Sequence, residues 1–305
     1  MSNLLRIPSI LWKIGLALTL VTLPLVIFGV SYPPIITWLR HILTMFVFLD
    51  IGFYFGTGQL LGSLGARIRY RSKLPSADNY DCKVDYILPF EGKWTVRNGG
   101  ASKELSHSWG IVAQRYAYDF TIVDDEGKSF SGDNTNLQSY YCYGKNIVAP
   151  ADGMVIQVSD KHRDSRVTGK KVYCDTWDIR GNFVVIRHAK EEYSVCAHLI
   201  PGSITVRAGD LVKQGQVIGQ CGNSGNTSEP HLHFQLQTGR SFLGSAGLPI
   251  SFVNIWAQEK PNYAKIDPRK PQKELQEARG DGRVYIGRGL EVENKHNEQH
   301  EEAVK

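Results

Sequence analysis

Two long apolar runs open the chain, and short alternating runs follow them. Ile10 to Val30 is almost continuously apolar and has about the ~20 residues a helix needs to cross a bilayer. Lys13 near its start and Pro24 inside it are both tolerable in a membrane helix. Ser31-Tyr32-Pro33-Pro34 then breaks it, because proline removes a backbone donor and crowds the preceding turn. A second run, Ile42 to Leu61, carries Asp50 near its middle with Gly52, Gly56 and Gly58 around it. It predicts either a second span closing a hairpin or an interfacial helix, with Asp50 partnered at the packing seam. No small-residue cleavage site follows the first run, so a signal anchor is expected rather than a cleaved leader.

After Leu74-Pro75-Ser76-Ala77-Asp78, which reads as a linker, the pattern changes. As far as Val253, short apolar or alternating runs are divided by Gly, Asn, Asp and Pro. Tyr86-Ile87-Leu88-Pro89-Phe90, Asn182 to Arg187 and Gln216 to Gly219 read as strands. Ala151-Asp152-Gly153, Arg180-Gly181-Asn182 and Ala208-Gly209-Asp210 read as turns. Strands this short at this spacing predict an all-β domain, an antiparallel sandwich or barrel, behind one or two N-terminal transmembrane helices. Asp124 to Gly144 reads as a long loop over a functional face. Beyond Pro261 the chain is charged and poor in aromatics. There Lys270 to Arg279 predicts a short helix, and Glu291 to Lys305 predicts disorder. The expected organisation is a membrane anchor over 1–75, a β domain over 76–258 and a polar, disordered tail over 259–305.

Charge adds little. The net charge of +5 and the pI near 8.8 mildly favour anionic surfaces. No compact basic cluster with interleaved aromatics is present, so a nucleic-acid partner is not expected. Arg67, Arg69, Arg71 and Lys73 follow the second run, and the positive-inside rule would hold them in the cytoplasm. With two spans the large domain would share that side; with one span it lies outside. The five cysteines contain no C-x-x-C pair, which argues against a zinc ribbon or redox motif.

The chemistry gathers at Ser228 to Gln237. Alternation there predicts a half-buried strand, and residues two apart on a strand share a face. His231 and His233 would then project together, with Leu232 and Phe234 on the other face. The bland alternative is a surface strand with two chance histidines. Ser194 to Leu199 reads as a strand end that puts His198 on the face of Cys196. Gln114 to Phe120 reads as a strand that puts Asp119 on the face of Ala117 and Arg115. His107 lies just upstream. A hydrolytic zinc site needs a mixed ligand set with an open position for water, which two imidazoles and a carboxylate satisfy, and these five side chains supply that with imidazoles to spare. Asn223 to Thr227 reads as a turn on the rim.

At this point the residues resemble the lysostaphin-type zinc metallopeptidases. The matching runs are Val148 to Gly153, Ala197-His198-Leu199, Val206 to Gln220, Gly222 to Thr227 and Pro230-His231-Leu232-His233-Phe234. The resemblance implies the duplicated hybrid motif fold and one zinc ion per chain. By position, His233 and Asp119 resemble metal ligands, and His231 and His198 resemble the catalytic histidines. The family's remaining ligand usually sits four residues before that aspartate. Here Arg115 holds the place, so the ligand is expected from His107 in the preceding segment. Cys196 stands where the family often has an aromatic, and it reads as a packed thiol. What the resemblance implies is a membrane-anchored endopeptidase that cuts peptides of bacterial peptidoglycan, with its domain outside the cell membrane, against the charge pattern. The rival reading is an inactive scaffold that binds cell-wall peptide or activates a partner hydrolase. A biotinyl- or lipoyl-like carrier shares some turns, but no modifiable lysine sits in the hairpin such a domain requires.

Overall fold

In the computed structural model the described residues are 7–71, 73–167, 178–272, 275–278 and 282–295. The chain divides into two compact units, Met1–Leu61 and Gly62–Lys305.

The first unit is helical. Helix α1 (Ile7–Ile27) contains Pro24 and is, among the described residues, the one helix long and apolar enough to cross a membrane. Helix α2 (Pro34–Met45) begins on a proline, whose missing N–H costs nothing in a first turn. The second apolar run is not one helix. A 3-10 turn over Phe46–Leu49 ends at Asp50, whose backbone is extended, and α3 (Ile51–Arg69) starts afresh. The break falls at Asp50, which is hydrogen-bonded through both its backbone and its side chain. Its backbone carbonyl accepts from Phe53 N at 3.1 Å, and its carboxylate accepts from the indole N–H of Trp12. The boundary between the units falls within α3.

The second unit is built on strands. They are β1 (Trp94–Asn98), β2 (Tyr118–Thr121), β3 (Asn146–Val148), β4 (Gly153–Ser159) and β5 (Asn182–Ala189). Then come β6 (Glu192–Leu199), β7 (Leu211–Val212), β8 (Val217–Gln220), β9 (Leu232–Gln237) and β10 (Gly247–Leu248). The last are β11 (Ile255–Glu259), β12 (Gln276–Glu277), β13 (Val284–Tyr285) and β14 (Leu290–Asn294). The large sheet runs β11-β14-β1-β2-β9-β6-β5-β4-β7. Its neighbours are antiparallel throughout, so the all-β antiparallel expectation holds. One edge of β9 pairs with β6, so β2 and β10 share its other edge.

The sheet has two different faces. Val96, Tyr118, Phe120, Val184, Cys196, Leu232, Phe234 and Leu236 enter the main core, together with Ile147 and Ile218 from the small β3–β8 sheet. By strand alternation Asp119, Ala197, His233, Gln235 and Gln237 belong to the opposite face. Phe183, Val185, Val195 and Ala197 form a smaller buried cluster of their own. Cys82, Cys142, Cys196 and Cys221 are buried free thiols; Cys174 lies outside the described residues.

Three expectations along the chain are corrected. Tyr86 to Phe90 makes only isolated bridges at its ends, because Pro89 cannot donate to a ladder. Asn294 substitutes for a neighbouring strand: its amide accepts from Leu88 N at 2.9 Å and donates to Leu88 O and Phe90 O at 3.0 and 2.9 Å. That asparagine belongs to the tail expected to be disordered. Residues 290–294 instead form β14 inside the large sheet, where Val292 is fully buried against β1 and β11. Between Lys270 and Arg279 the described residues form coil and the short β12 rather than a helix. Residues 296–305 lie outside the described set.

The entry into β5 is held against the turn at Ser224. Ser224 Oγ accepts from Asn182 N at 2.9 Å and donates to Leu199 O at 2.7 Å. Gly181, at φ +64°, makes this close approach possible: a Cβ there would stand 2.3 Å from Ser224 C and 2.5 Å from Ser224 O. Gly202, at φ +77°, faces open space. Gly202→Ala should therefore cost only the left-handed backbone term, about 1–2 kcal/mol. Gly181→Ala should cost a further ~1–3 kcal/mol for the overlap. Denaturant titration of the two variants checks the difference; equal losses would mean that the Ser224 contact does not constrain the fold.

Candidate functional site

The site is built on the register between β2 and β9. Asp119 pairs with His233 across that ladder, and directly opposed residues in an antiparallel pair point to the same face. Asp119 Oδ1 lies 3.2 Å from His233 Nδ1. Two further imidazoles reach the same carboxylate: His231 Nε2 at 3.7 Å from Oδ1, and His107 Nε2 at 3.5 Å from Oδ2. The His198 ring stands 4.7 Å from that of His231 and 5.8 Å from that of His233. All five residues singled out in the sequence therefore converge. His231 does so from just before β9 rather than from within it.

His198 arrives by a route that alternation does not predict. Phe183 pairs with Ala197, and Asn182 pairs with Leu199, so His198 is an extra residue on β6. Its φ is +66°, in the left-handed region where histidine is over-represented among non-glycine residues. Such a bulge re-aims a side chain. Cys196 stays in the main core with Phe234, while His198 turns to the other face, against the expectation that the two share one. A second bulge lies between β1 and β2, where Val96 pairs with Phe120 and Asn98 with Asp119. It brings Asn98 to the site, where its amide donates to Asp119 Oδ2 at 2.9 Å. Nothing in the local pattern around Asn98 announces this.

Arg115 does not share a strand face with Asp119. It follows a 3-10 turn over Val112–Gln114, and β2 begins only at Tyr118. Its guanidinium lies 4.7 Å from the Trp109 ring. His107 instead comes from the loop between β1 and β2, which is pinned just ahead of it. Ser106 Oγ donates to Arg115 O at 2.8 Å. Arg288 donates to Leu105 O and Glu104 O at 3.0 and 2.8 Å. Arg288 belongs to the polar tail, so the sequence offered no reason to connect it with His107.

Backbone carbonyls fix which nitrogen each outer histidine presents. His198 Nδ1 is 2.7 Å from Ser224 O, and His231 Nδ1 is 2.8 Å from Glu229 O. A carbonyl only accepts, so both Nδ1 atoms carry hydrogen and both Nε2 atoms are left bare in the neutral rings. Glu229 is held in turn by Arg97 and by Ser129 Oγ at 3.0 Å. The turn 223–227, read as an outer rim, is buried at Asn223, Ser224 and Thr227 and acts as support beneath the imidazoles.

Burial and mutual repulsion set the charges. Burial, reinforced by His231 and His233, holds His198 well below the ordinary histidine value, hence neutral. Burial lowers His107 as well, against the pull of Asp119. Burial by itself would raise Asp119, but His107, His233 and His231 outweigh it and keep the carboxylate well below its usual range. One carboxylate and unprotonated imidazole nitrogens form a donor set that suits zinc. The separations of 3.5 and 3.2 Å from Asp119 to His107 and His233 are close to the ~3.4 Å between neighbouring donors in a tetrahedron of ~2.1 Å bonds. Among the described residues no trio of such side chains closes into a ready-made cage. The fit is pairwise, through Asp119.

Residues 137–244 match the model of peptidase family M23, a span that holds His198, His231 and His233 but not His107 or Asp119. An uncharacterized metalloprotease of Haemophilus influenzae is 33% identical over 92 residues, 30% of this chain and 16% of its own length. The peptidoglycan DD-endopeptidase ShyA of Vibrio cholerae is 43% identical over 56 residues, 18% of this chain and 13% of its own length. The chain thus spans about a sixth or less of the relatives it matches. A zinc-containing peptidase from Vibrio cholerae, known as a crystal structure, is 20% identical with a TM-score of 0.33, over 54% of this chain and 39% of that one. A likeness that distant adds nothing to the site. Over residues 137–244, about a third of the chain, the sequence is thus similar to peptidase family M23.

Proposed function

We propose that the chain is a membrane-anchored zinc metalloendopeptidase acting on peptides of bacterial peptidoglycan. The observation that carries the reading is the single carboxylate of Asp119 facing His107, His231 and His233 at 3.5, 3.7 and 3.2 Å. In this reading His107, Asp119 and His233 hold the metal. A bound zinc supplies polarisation of the scissile carbonyl and lowers the pKa of a water to about 7. The chain's own residues handle the protons. His198 and His231 present bare Nε2 atoms side by side. One accepts a proton from the attacking water, and the pair then steadies the oxyanion and returns the proton to the leaving amine. Asn98 keeps Asp119 from rotating, through its 2.9 Å bond. The substrate class rests on the similarity to peptidase family M23 and to ShyA, a peptidoglycan DD-endopeptidase. Helix α1 is the proposed membrane span, with the β domain outside the cytoplasm.

The full chain, reconstituted with zinc in detergent, should hold one zinc per chain by elemental analysis, and Asp119→Asn and His233→Gln should lose it. His198→Gln and His231→Gln should keep the metal but cut hydrolysis of purified peptidoglycan peptides by roughly 10²–10⁴-fold. A wild-type chain that takes up zinc yet cleaves nothing would turn the reading towards the scaffold. The pH profile gives a second check. His198 works unprotonated and its pKa is depressed by burial, so the rate should stay level as pH falls through the ordinary histidine value and drop only under more acid conditions. A fall centred on the ordinary value would remove His198 from the proton path. A periplasm-dependent reporter joined after Leu74 should be active; activity only of a cytoplasmic reporter would put the domain inside.

A further inference from the structure

We infer that Gln235, backed by Gln237, is a positioning residue that commits one ring nitrogen of His233 to the protein interior and so presents the other to Asp119. The inference rests on the reading of His233 as a metal-holding imidazole. Its basis is the hydrogen-bond polarity of a buried ladder.

His233, Gln235 and Gln237 follow one another on the same face of β9, and their relative exposures are 6%, 1% and 0%. His233 Nε2 lies 3.0 Å from Gln235 Oε1. Gln235 Nε2 lies 3.2 Å from Ala113 O and 2.6 Å from Gln237 Oε1. Gln237 Nε2 lies 2.6 Å from Gly239 O. An amide can be turned end for end, but this one has no freedom to do so. The ladder rests on two backbone carbonyls, and carbonyls only accept. Gly239 O requires the nitrogen of Gln237, which leaves Gln237 Oε1 to accept from Gln235. Ala113 O and Gln237 Oε1 then occupy both hydrogens of the Gln235 nitrogen. Its oxygen must face His233, and an oxygen there accepts. His233 Nε2 therefore carries hydrogen, and Nδ1, 3.2 Å from Asp119 Oδ1, is the nitrogen left to engage a cation or a proton shared with that carboxylate. Flipping either glutamine would set oxygen against oxygen in a buried site and leave donors and acceptors unpaired.

The metal-free full chain, in detergent with isotope-labelled histidine, gives the direct test by nitrogen NMR above neutral pH, with His233→Asn identifying the signal. Hydrogen on Nε2 and a bare Nδ1 are expected. Zinc affinity should fall roughly 10–100-fold in Gln235→Leu. Gln235→Glu, which keeps an oxygen towards His233, should lie between that variant and wild type. Hydrogen on Nδ1 in the wild type would overturn the inference, as would equal weakening by Leu and Glu, which would indicate packing alone. A wild-type chain that shows the Nε2 hydrogen but takes up no zinc supports the ladder while removing the metal reading, so the two failures are told apart.

Discussion

Asp119 and His233 oppose each other across an antiparallel ladder, and the rest of the site is arranged around that pair. Register sets it: Tyr118 faces Phe234 and Phe120 faces Leu232 on either side, and all four are buried in the main core. A slip of one residue would exchange those four apolar side chains for the carboxylate and the imidazole. The core cannot accept the exchange, because burying an ionised group without partners costs far more than any local gain. The hydrophobic face of the sheet thus holds the polar face in place.

Two bulges then correct what regular strands cannot deliver. Each inserts one residue, Arg97 in β1 and His198 in β6, and each moves a polar side chain to the face of Asp119. The strained backbone of His198 is tolerated because its neighbours over-determine it. Its N–H donates to Arg180 O, its carbonyl accepts from Gly222 N, and its ring is tied to Ser224 O. The imidazoles are consequently oriented from behind, by carbonyls for His198 and His231 and by an amide for His233.

The segment after residue 260 completes the structure. Arg288 pins the loop that carries His107, Tyr263 donates to Arg97 O at 3.0 Å, Arg269 donates to Asn98, and β14 fills the sheet between β11 and β1. This explains how the domain supplies an imidazole from a loop when Arg115 occupies the position four residues before Asp119. The matched family segment ends at residue 244, yet several of the groups that hold the site lie beyond it.

Local pattern determined much of this. A strand's two-residue period put Leu232 and Phe234 in the core and His233 opposite them, and the apolar length of the first run yielded helix α1. Ordered short motifs singled out His198, His231 and His233, and the single carboxylate on an alternating run singled out Asp119. Tertiary structure decided the rest. A bulge has no period, so neither the face of His198 nor the role of Asn98 could be read locally. The second apolar run is interrupted at Asp50, whose carboxylate accepts from the indole N–H of Trp12, distant in sequence. The tail looked disordered because polar composition measures what a segment buries by itself, whereas β14 is stabilised by backbone bonds to β11 and to β1, the latter around two hundred residues away. Long-range pairing carries no local signature, and it is long-range pairing that assembles the five side chains.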